Sequence, residues 1–241
     1  MSDSHERICA ITGGAGALGS ALAELLAKRG YAVVLLDTER GKERAETLAA
    51  RLGNDHAIAV TGDFAEADAW TAALEATKRA FGHAPSHAAL IAGGWEGGKP
   101  LHEEEDGVYE RLVRSNLDTA HRGLRALLGP MVAAKQGSIV VVGSRAALRP
   151  WTSTGAAVYA AAKSAVVALA EAAAAEVLAD GVRINAILPS TMDTPANRAA
   201  MPKADPSTWV SLSSAAGVIA FLLSEDARDV SGAAIPVYGR A

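Results

Sequence analysis

Short apolar runs alternate with amphipathic stretches along this chain. Ile8 to Ile11 reads as a buried strand, and helical periodicity follows from about Ala17 to Arg29. A strand at Ala32–Leu36 precedes a helix near Arg40–Leu52, and one at Ala57–Thr61 precedes a helix near Glu66–Phe81. The pattern continues with a strand at His87–Ile91, a helix over Val108–Leu128 and a strand at Ser138–Val142. An Ala-rich helix over Ala156–Ala179, a strand at Val182–Leu188, a helix at Ser213–Leu223 and a strand at Ala233–Val237 complete it. Strands alternating with helices in this way predict a parallel sheet covered on both faces: an α/β, Rossmann-type, doubly wound fold of seven strands in three layers. No low-complexity linker or internal repeat interrupts the alternation, so residues 1–241 are read as one domain.

Composition narrows the class. Half of the 241 residues are hydrophobic and only 5% aromatic, which describes a large core of Ala, Val, Leu and Ile. A net charge of −4 argues against a nucleic-acid or anionic-membrane surface. No apolar run is expected to span a bilayer, and Met1 to Arg7 lacks a signal-peptide pattern. The single cysteine, Cys9, excludes an internal disulfide; it fits a reducing cytoplasm and a core position better than a nucleophile. Scattered histidines give no metal-ligand spacing, and His102-Glu103-Glu104-Glu105-Asp106 reads as a solvated helix start, so no metal is implied.

Two local patterns carry chemistry. Thr12-Gly13-Gly14-Ala15-Gly16-Ala17-Leu18-Gly19 joins the first strand to the first helix, where glycines let backbone N–H groups approach a pyrophosphate at the positive helix end. About 20 residues on, Asp37 ends the second strand. An acid there accepts hydrogen bonds from ribose hydroxyls and repels a 2′-phosphate, favouring NAD(H) over NADP(H); an ordinary helix N-cap is the alternative. Arg40, three residues later, softens that preference and keeps NADP(H) open. The second pattern is Tyr159-Ala160-Ala161-Ala162-Lys163, which sets an ammonium and a phenol on one helix face. A phenol with a pKa of about 10 is a poor acid or base at neutral pH, and a nearby cation is expected to lower it. Taken alone, such a pair is more often a surface contact.

With these motifs in this order, the sequence resembles the short-chain dehydrogenase/reductase family over nearly its whole length. The family's glycine turn is similar to Thr12–Gly19, with Ala17 at the middle glycine, and its adenine contact after the third strand is similar to Asp63-Phe64. Its Asn-Asn-Ala-Gly segment is similar to Leu90-Ile91-Ala92-Gly93, followed here by Gly94, with both asparagines missing. Its catalytic set is similar to Asn116, Ser144, Tyr159 and Lys163, and its Pro-Gly to Pro189-Ser190, with Thr191 next to it and Thr194 at the nicotinamide carboxamide position. The resemblance implies a hydride transfer between NAD(H) and a small carbonyl or alcohol. In it Lys163 binds ribose and lowers the pKa of Tyr159, Tyr159 moves the proton, Ser144 holds the substrate oxygen and Asn116 holds a water. It also implies a homotetramer or homodimer that pairs the Ala-rich helix.

Gly93-Gly94-Trp95 and the stretch from Leu188 to Trp209 are similar to one branch of the family, quinonoid dihydropteridine reductase, in which the Trp faces a flat pterin. That branch typically lacks the Ser and the Asn, which this chain keeps. An NADH-dependent quinonoid dihydropteridine reductase-like enzyme is therefore the first alternative, and a non-catalytic dinucleotide-binding sensor or scaffold the second. Residues 190–211 leave a strand's carboxyl end with three prolines and little periodicity, which reads as a substrate lid. Met192, Asn197, Arg198, Met201 and Trp209 are its candidate pocket residues, with Trp95, Ser144 and Tyr159 opposite.

Overall fold

A computed structural model describes residues 7–240, so most of the Met1–Arg7 segment read for a signal pattern lies outside the described residues. The chain runs β1 (Ile8–Thr12), α1 (Ala17–Lys28), β2 (Ala32–Asp37), α2 (Lys42–Leu52), β3 (Ala57–Thr61), α3 (Ala67–Phe81) and β4 (His87–Leu90). It continues through α4 (Val108–Leu112), α5 (Thr119–Ala134), β5 (Gly137–Val142), α6 (Arg145–Leu148), α7 (Ala157–Val177) and β6 (Val182–Pro189), and ends with α8 (Pro195–Ala200), α9 (Leu212–Leu223) and β7 (Ala234–Val237).

The strands form one sheet in the order β3-β2-β1-β4-β5-β6-β7, and every pairing is parallel. Side-chain alternation along each strand divides the core in two. On β1, Ile8 and Ala10 join a core with Trp70, Leu124, Leu127, Met131 and Val166 from α3, α5 and α7. Cys9 and Ile11 point the other way, into a core with Leu22, Leu26, Leu48 and Ile219 from α1, α2 and α9. Because both faces are covered, the strands read as unbroken apolar runs. The order reverses between β1 and β4, which opens a crevice beyond their carboxyl ends.

Tertiary packing moved several predicted boundaries. The helix predicted to end at Leu128 runs through Pro130 to Ala134, because Leu127 and Met131 gain more by burial than the proline loses in one hydrogen bond. Its start is divided: a π-helical turn, Val113–Asp118, separates α4 from α5 and carries Asn116. The four-residue α6 and the six-residue α8 were too short to show a helical period. The expectation that no apolar segment matches a bilayer span is corrected by α7, whose continuation to Asp180 has the length and composition of one. Its Val166, Val167, Ala170, Ala173, Ala174 and Val177 lie in the α3/α5 core, so it packs as a core helix against the sheet.

The missing asparagines after β4 are offset by Thr12. Its buried hydroxyl accepts hydrogen bonds from the backbone N–H groups of Ile91 (2.9 Å) and Ala92 (3.1 Å), tying the crevice floor across the switch point.

His87 on β4 lies edge-on to Tyr31 with ring centroids 5.1 Å apart. Burial, with Arg183 and Arg7 nearby, pushes its pKa down to about 4. The unfolded chain therefore binds the extra proton between about pH 4 and the ordinary histidine value of about 6.5, and stability rises with pH across that window. Urea unfolding at pH 4.5 and pH 7 is expected to differ by about 2–3 kcal/mol from this residue alone, and His87→Gln is expected to reduce that difference.

Candidate active site

The β1–α1 turn is built by close backbone approach. Gly13 adopts φ +65, and a Cβ on Gly19 would stand 2.2 Å from the Gly13 carbonyl oxygen. On Gly14 it would stand 2.9 Å from Leu35 Cα, so the turn lies flat on β2. Gly16 donates its N–H to the Gly13 carbonyl (2.9 Å), and α1 opens at Ala17 and Leu18 with no side-chain cap and no acid in the first turn, leaving N–H groups oriented as an anion site requires. Ala17 takes the middle-glycine position as the first helical residue, and the Leu18 side chain is core. Asp37 closes this corner: its Oδ2 accepts from Ala15 N (2.9 Å) and its Oδ1 from Thr38 N (2.8 Å). A Cβ on Gly41 would come within 2.2 Å of Oδ1, so that glycine makes room for the carboxylate.

After β3, the predicted Asp63-Phe64 pair divides. Asp63 accepts from Arg114 (2.7 Å) and from Ala65 N (3.1 Å), and Arg114 holds its carboxyl below the usual range. The Phe64 ring is buried, in edge contact with Trp70 (5.3 Å), whose Nε1 donates to the Phe64 carbonyl at 3.0 Å. The expected apolar contact to adenine is therefore corrected: a buried aromatic pair outweighs a place on the crevice wall.

Asn116 is buried in the π turn, where its Nδ2 donates to Leu112 O (2.9 Å) and Gly94 O (3.1 Å). Its Oδ1 accepts nothing among the described residues. A Cβ on Gly93 would stand 2.6 Å from that Oδ1 and 3.1 Å from Lys163 Nζ, so only glycine leaves room for both groups at the crevice floor.

Lys163 is buried on α7 and its Nζ donates to the Val142 carbonyl at 2.8 Å. Burial pushes its pKa down to about 8. Tyr159, one turn earlier, is held above the ordinary phenol value by burial, and the neighbouring Ser144 hydroxyl draws it partly back. Desolvation is the largest influence on the phenol here, while the Lys163 ammonium donates to Val142. Ser144 ends β5, and its Oγ accepts from Ala146 N at 3.2 Å as the cap of α6.

These side chains line one cavity of about 620 Å³ at the carboxyl ends of β4, β5 and β6. It brings together Gly93, Gly94, Trp95, Ser144, Tyr159 and Lys163 with Pro189 at the end of β6 and Thr191, Met192, Asn197 and Met201 beyond it. Ala92 sits beneath it, against Gly13. Trp95 is largely exposed on a loop held by Gly98 N–H donating to Gly155 O (2.7 Å) and by a two-point Arg111–Glu96 ion pair. Residues 190–211 are more ordered than their composition suggests, because a bridge between Met192 and Val210 ties their ends. The predicted glycine-turn residues, Asp37, Asp63, Phe64, Ala92 and Asn116 stand outside this cavity, as do three residues of the 190–211 segment. Arg198 pairs with Asp193 (2.6 and 2.8 Å), Trp209 lies against Gly239, and Thr194 caps α8 by accepting from Asn197 N (3.1 Å). Sequence reasoning missed Arg145 and the Thr152-Ser153-Thr154 segment, which complete the wall. Their signal was positional: both follow β5, where open α/β sheets gather ligand contacts.

The sequence profile described as short chain dehydrogenase matches residues 7–205. The 2,5-dichloro-2,5-cyclohexadiene-1,4-diol dehydrogenase of Sphingobium indicum is 30% identical over 97% of this chain and 95% of its own. The cis-4-hydroxycyclohexanecarboxylate dehydrogenase of Sinomonas cyclohexanicum is 33% identical over 97% and 96%. Among solved structures, levodione reductase superposes with a TM-score of 0.87 at 28% identity, covering 97% of this chain and 96% of that one. The 3-ketoacyl-(acyl-carrier-protein) reductase of Brucella melitensis, complexed with NADH, gives 0.87 at 28% identity over 99% of each chain. A profile match over most of the chain and full-length relatives at 30% identity or more, on this parallel sheet, make the chain a member of the short-chain dehydrogenase family of oxidoreductases.

Proposed function

We propose that this protein is an NAD(H)-dependent oxidoreductase that interconverts a small alcohol and the corresponding carbonyl compound, with Tyr159 as general acid and base. The observation that carries the reading is the convergence of Ser144, Tyr159 and Lys163 on one cavity at the carboxyl ends of the central strands. The crevice fits a dinucleotide: a bare glycine turn, an uncapped helix start, a fixed carboxylate at the end of β2 and the unsatisfied Asn116 Oδ1. Gly13, Ala15, Ala17, Leu18 and Gly19 would hold the pyrophosphate through backbone, Asp37 the adenosine ribose, and Asp63 with the Phe64 backbone the adenine. Ala92, Gly93, Gly94, Pro189, Thr191 and Thr194 would flank the nicotinamide half. A bound nicotinamide supplies the two-electron acceptor or donor.

The protein's own part is a proton. Ser144 donates to the substrate oxygen and stabilises charge developing there. Tyr159, kept protonated by burial, gives its proton to that oxygen in reduction and takes it back in oxidation. Lys163, with a pKa near 8, is mostly protonated at neutral pH and would bind ribose hydroxyls beside Tyr159. Asn116 Oδ1, close to Lys163, would hold the water through which the proton leaves. The phenol's upward shift works against oxidation at neutral pH, so the oxidation rate is expected to climb through the alkaline range while reduction declines there.

NAD(H) is the proposed cofactor because Asp37, held by the Ala15 amide, places negative charge where NADP(H) carries its 2′-phosphate; Arg40 leaves NADP(H) as the weaker alternative. The Brucella relative complexed with NADH is consistent with this. The two relatives quoted by substrate act on ring alcohols, which supports a ring-sized substrate. Trp95 in the wall supports a second reading, NADH-dependent reduction of a flat quinonoid dihydropterin. We place the enzyme in the cytoplasm as one domain with 190–211 as the lid. We also propose a homodimer or homotetramer pairing α7, whose Ala161, Ala165, Ala168, Ala172 and Ala175 fall on its outward side. Light scattering that returned a monomer at micromolar concentration would remove the assembly.

Tyr159→Phe is expected to lower turnover by about a hundredfold or more while NADH titration by fluorescence stays close to wild type. Retained turnover in that variant would overturn the mechanism. Loss of NADH binding by the wild type would overturn the cofactor. Asp37→Ala is expected to narrow the NADH-over-NADPH affinity ratio by about tenfold, read from the same titrations with both cofactors. An NADH-band assay comparing a quinonoid pterin with a panel of ketones separates the two substrate readings.

A further inference from the structure

Arg145 follows Ser144 directly and is the first residue of α6. It is partly buried and lines the cavity that holds Ser144 and Tyr159. The residues of that wall include two cations, Arg145 and Lys163, and no carboxylate. Lys163 is already committed to the Val142 carbonyl. The arginines around the cleft are matched as well. Arg111 pairs with Glu96, Arg114 with Asp63 and Glu66, and Arg198 with Asp193, while Arg149 stacks over Tyr238. Among the described residues no hydrogen bond, ion pair or ring contact engages the Arg145 guanidinium.

A guanidinium in a cleft wall with no counter-charge offers an unused cation, and an anion brought to it gains a charge-assisted partner. Its planar fork suits two-point binding of a carboxylate, and a partly dry wall strengthens each charge-assisted hydrogen bond. The adenosine end of the dinucleotide crevice does not need this charge, since no residue from Thr12 to Gly19 lines this cavity. Ser153 and Thr154 line the same wall, and their hydroxyls offer further donors to an oxyanion.

We propose that Arg145 is the specificity-determining residue of this site, and that the substrate is a ring-sized alcohol or ketone bearing a carboxylate that docks on its guanidinium. The proposal rests on the oxidoreductase reading above and names the substrate class for it. Ser144 and Tyr159 hold the reacting oxygen, while Arg145 holds the far end of the molecule and sets its distance from them.

The test uses the NAD-saturated protein and two shape-matched ligands, the anionic cyclohexanecarboxylate and the neutral cyclohexanecarboxamide, titrated calorimetrically. The carboxylate is expected to bind wild type about tenfold or more tightly than the amide. That advantage is expected to shrink at high salt, to vanish in Arg145→Met and to return in part in Arg145→Lys, with NADH affinity as the check that each variant is folded. In turnover, 4-hydroxycyclohexanecarboxylate is expected to exceed its amide in kcat/KM chiefly through KM, and the ratio to collapse in Arg145→Met. Equal binding of the two ligands by wild type, or a carboxylate preference that survives in Arg145→Met, would overturn the assignment. Carboxylate-selective binding with no turnover of any alcohol would overturn the oxidoreductase reading instead.

Discussion

The crevice depends on a buried ammonium at the carboxyl edge of a parallel sheet. Lys163 has almost no solvent contact, and its one hydrogen bond runs to the backbone of β5. A cation so placed is costly, which is why burial brings its pKa down to about 8. It is tolerated because the surrounding backbone is open: Gly93 has no side chain to exclude it, and Asn116 Oδ1 faces the same point from the π turn. Four elements far apart in sequence, the loop after β4, the π turn, β5 and α7, must therefore be in register for that lysine to be satisfied.

The parallel sheet supplies the register. Each strand directs its carboxyl end to the same edge, so loops of different length all arrive at one cleft. Thr12 ties the floor between β1 and β4, and the Met192–Val210 bridge secures the segment over the top. The wall between them is unequal in charge. Among the described residues its basic groups, Lys163 and Arg145, have no acidic partner, whereas the Arg111–Glu96 and Arg198–Asp193 ion pairs lie outside it. An unmatched positive wall beside a proton-transferring phenol is what links the proposed chemistry to the proposed substrate.

Much of this was legible in the chain. Runs such as Ala32–Leu36 and Val182–Leu188 are strands because β-branched and aliphatic residues buried on both faces leave no alternation, and the glycine turn declared its place between strand and helix. The Tyr159–Lys163 pair was visible because four residues on a helix always return to one face. Legibility ended where neighbours decided. Phe64 looked like a crevice residue and turned inward, since Trp70, six positions on, offered an aromatic partner. Residues 190–211 looked irregular, yet a backbone bridge between Met192 and Val210, 18 residues apart, orders them.

Local sequence determined the fold class, the dinucleotide-like turn and the family to which the chain belongs, because periodicity and short motifs act over a few residues. Only tertiary structure sets the surroundings of the phenol: desolvation, which pushes its pKa up, depends on everything packed around Tyr159. It also decided which arginine remains unpaired in the wall. A side chain's exposure and its freedom from partners are properties of the assembled cleft, not of the residues beside it in the chain.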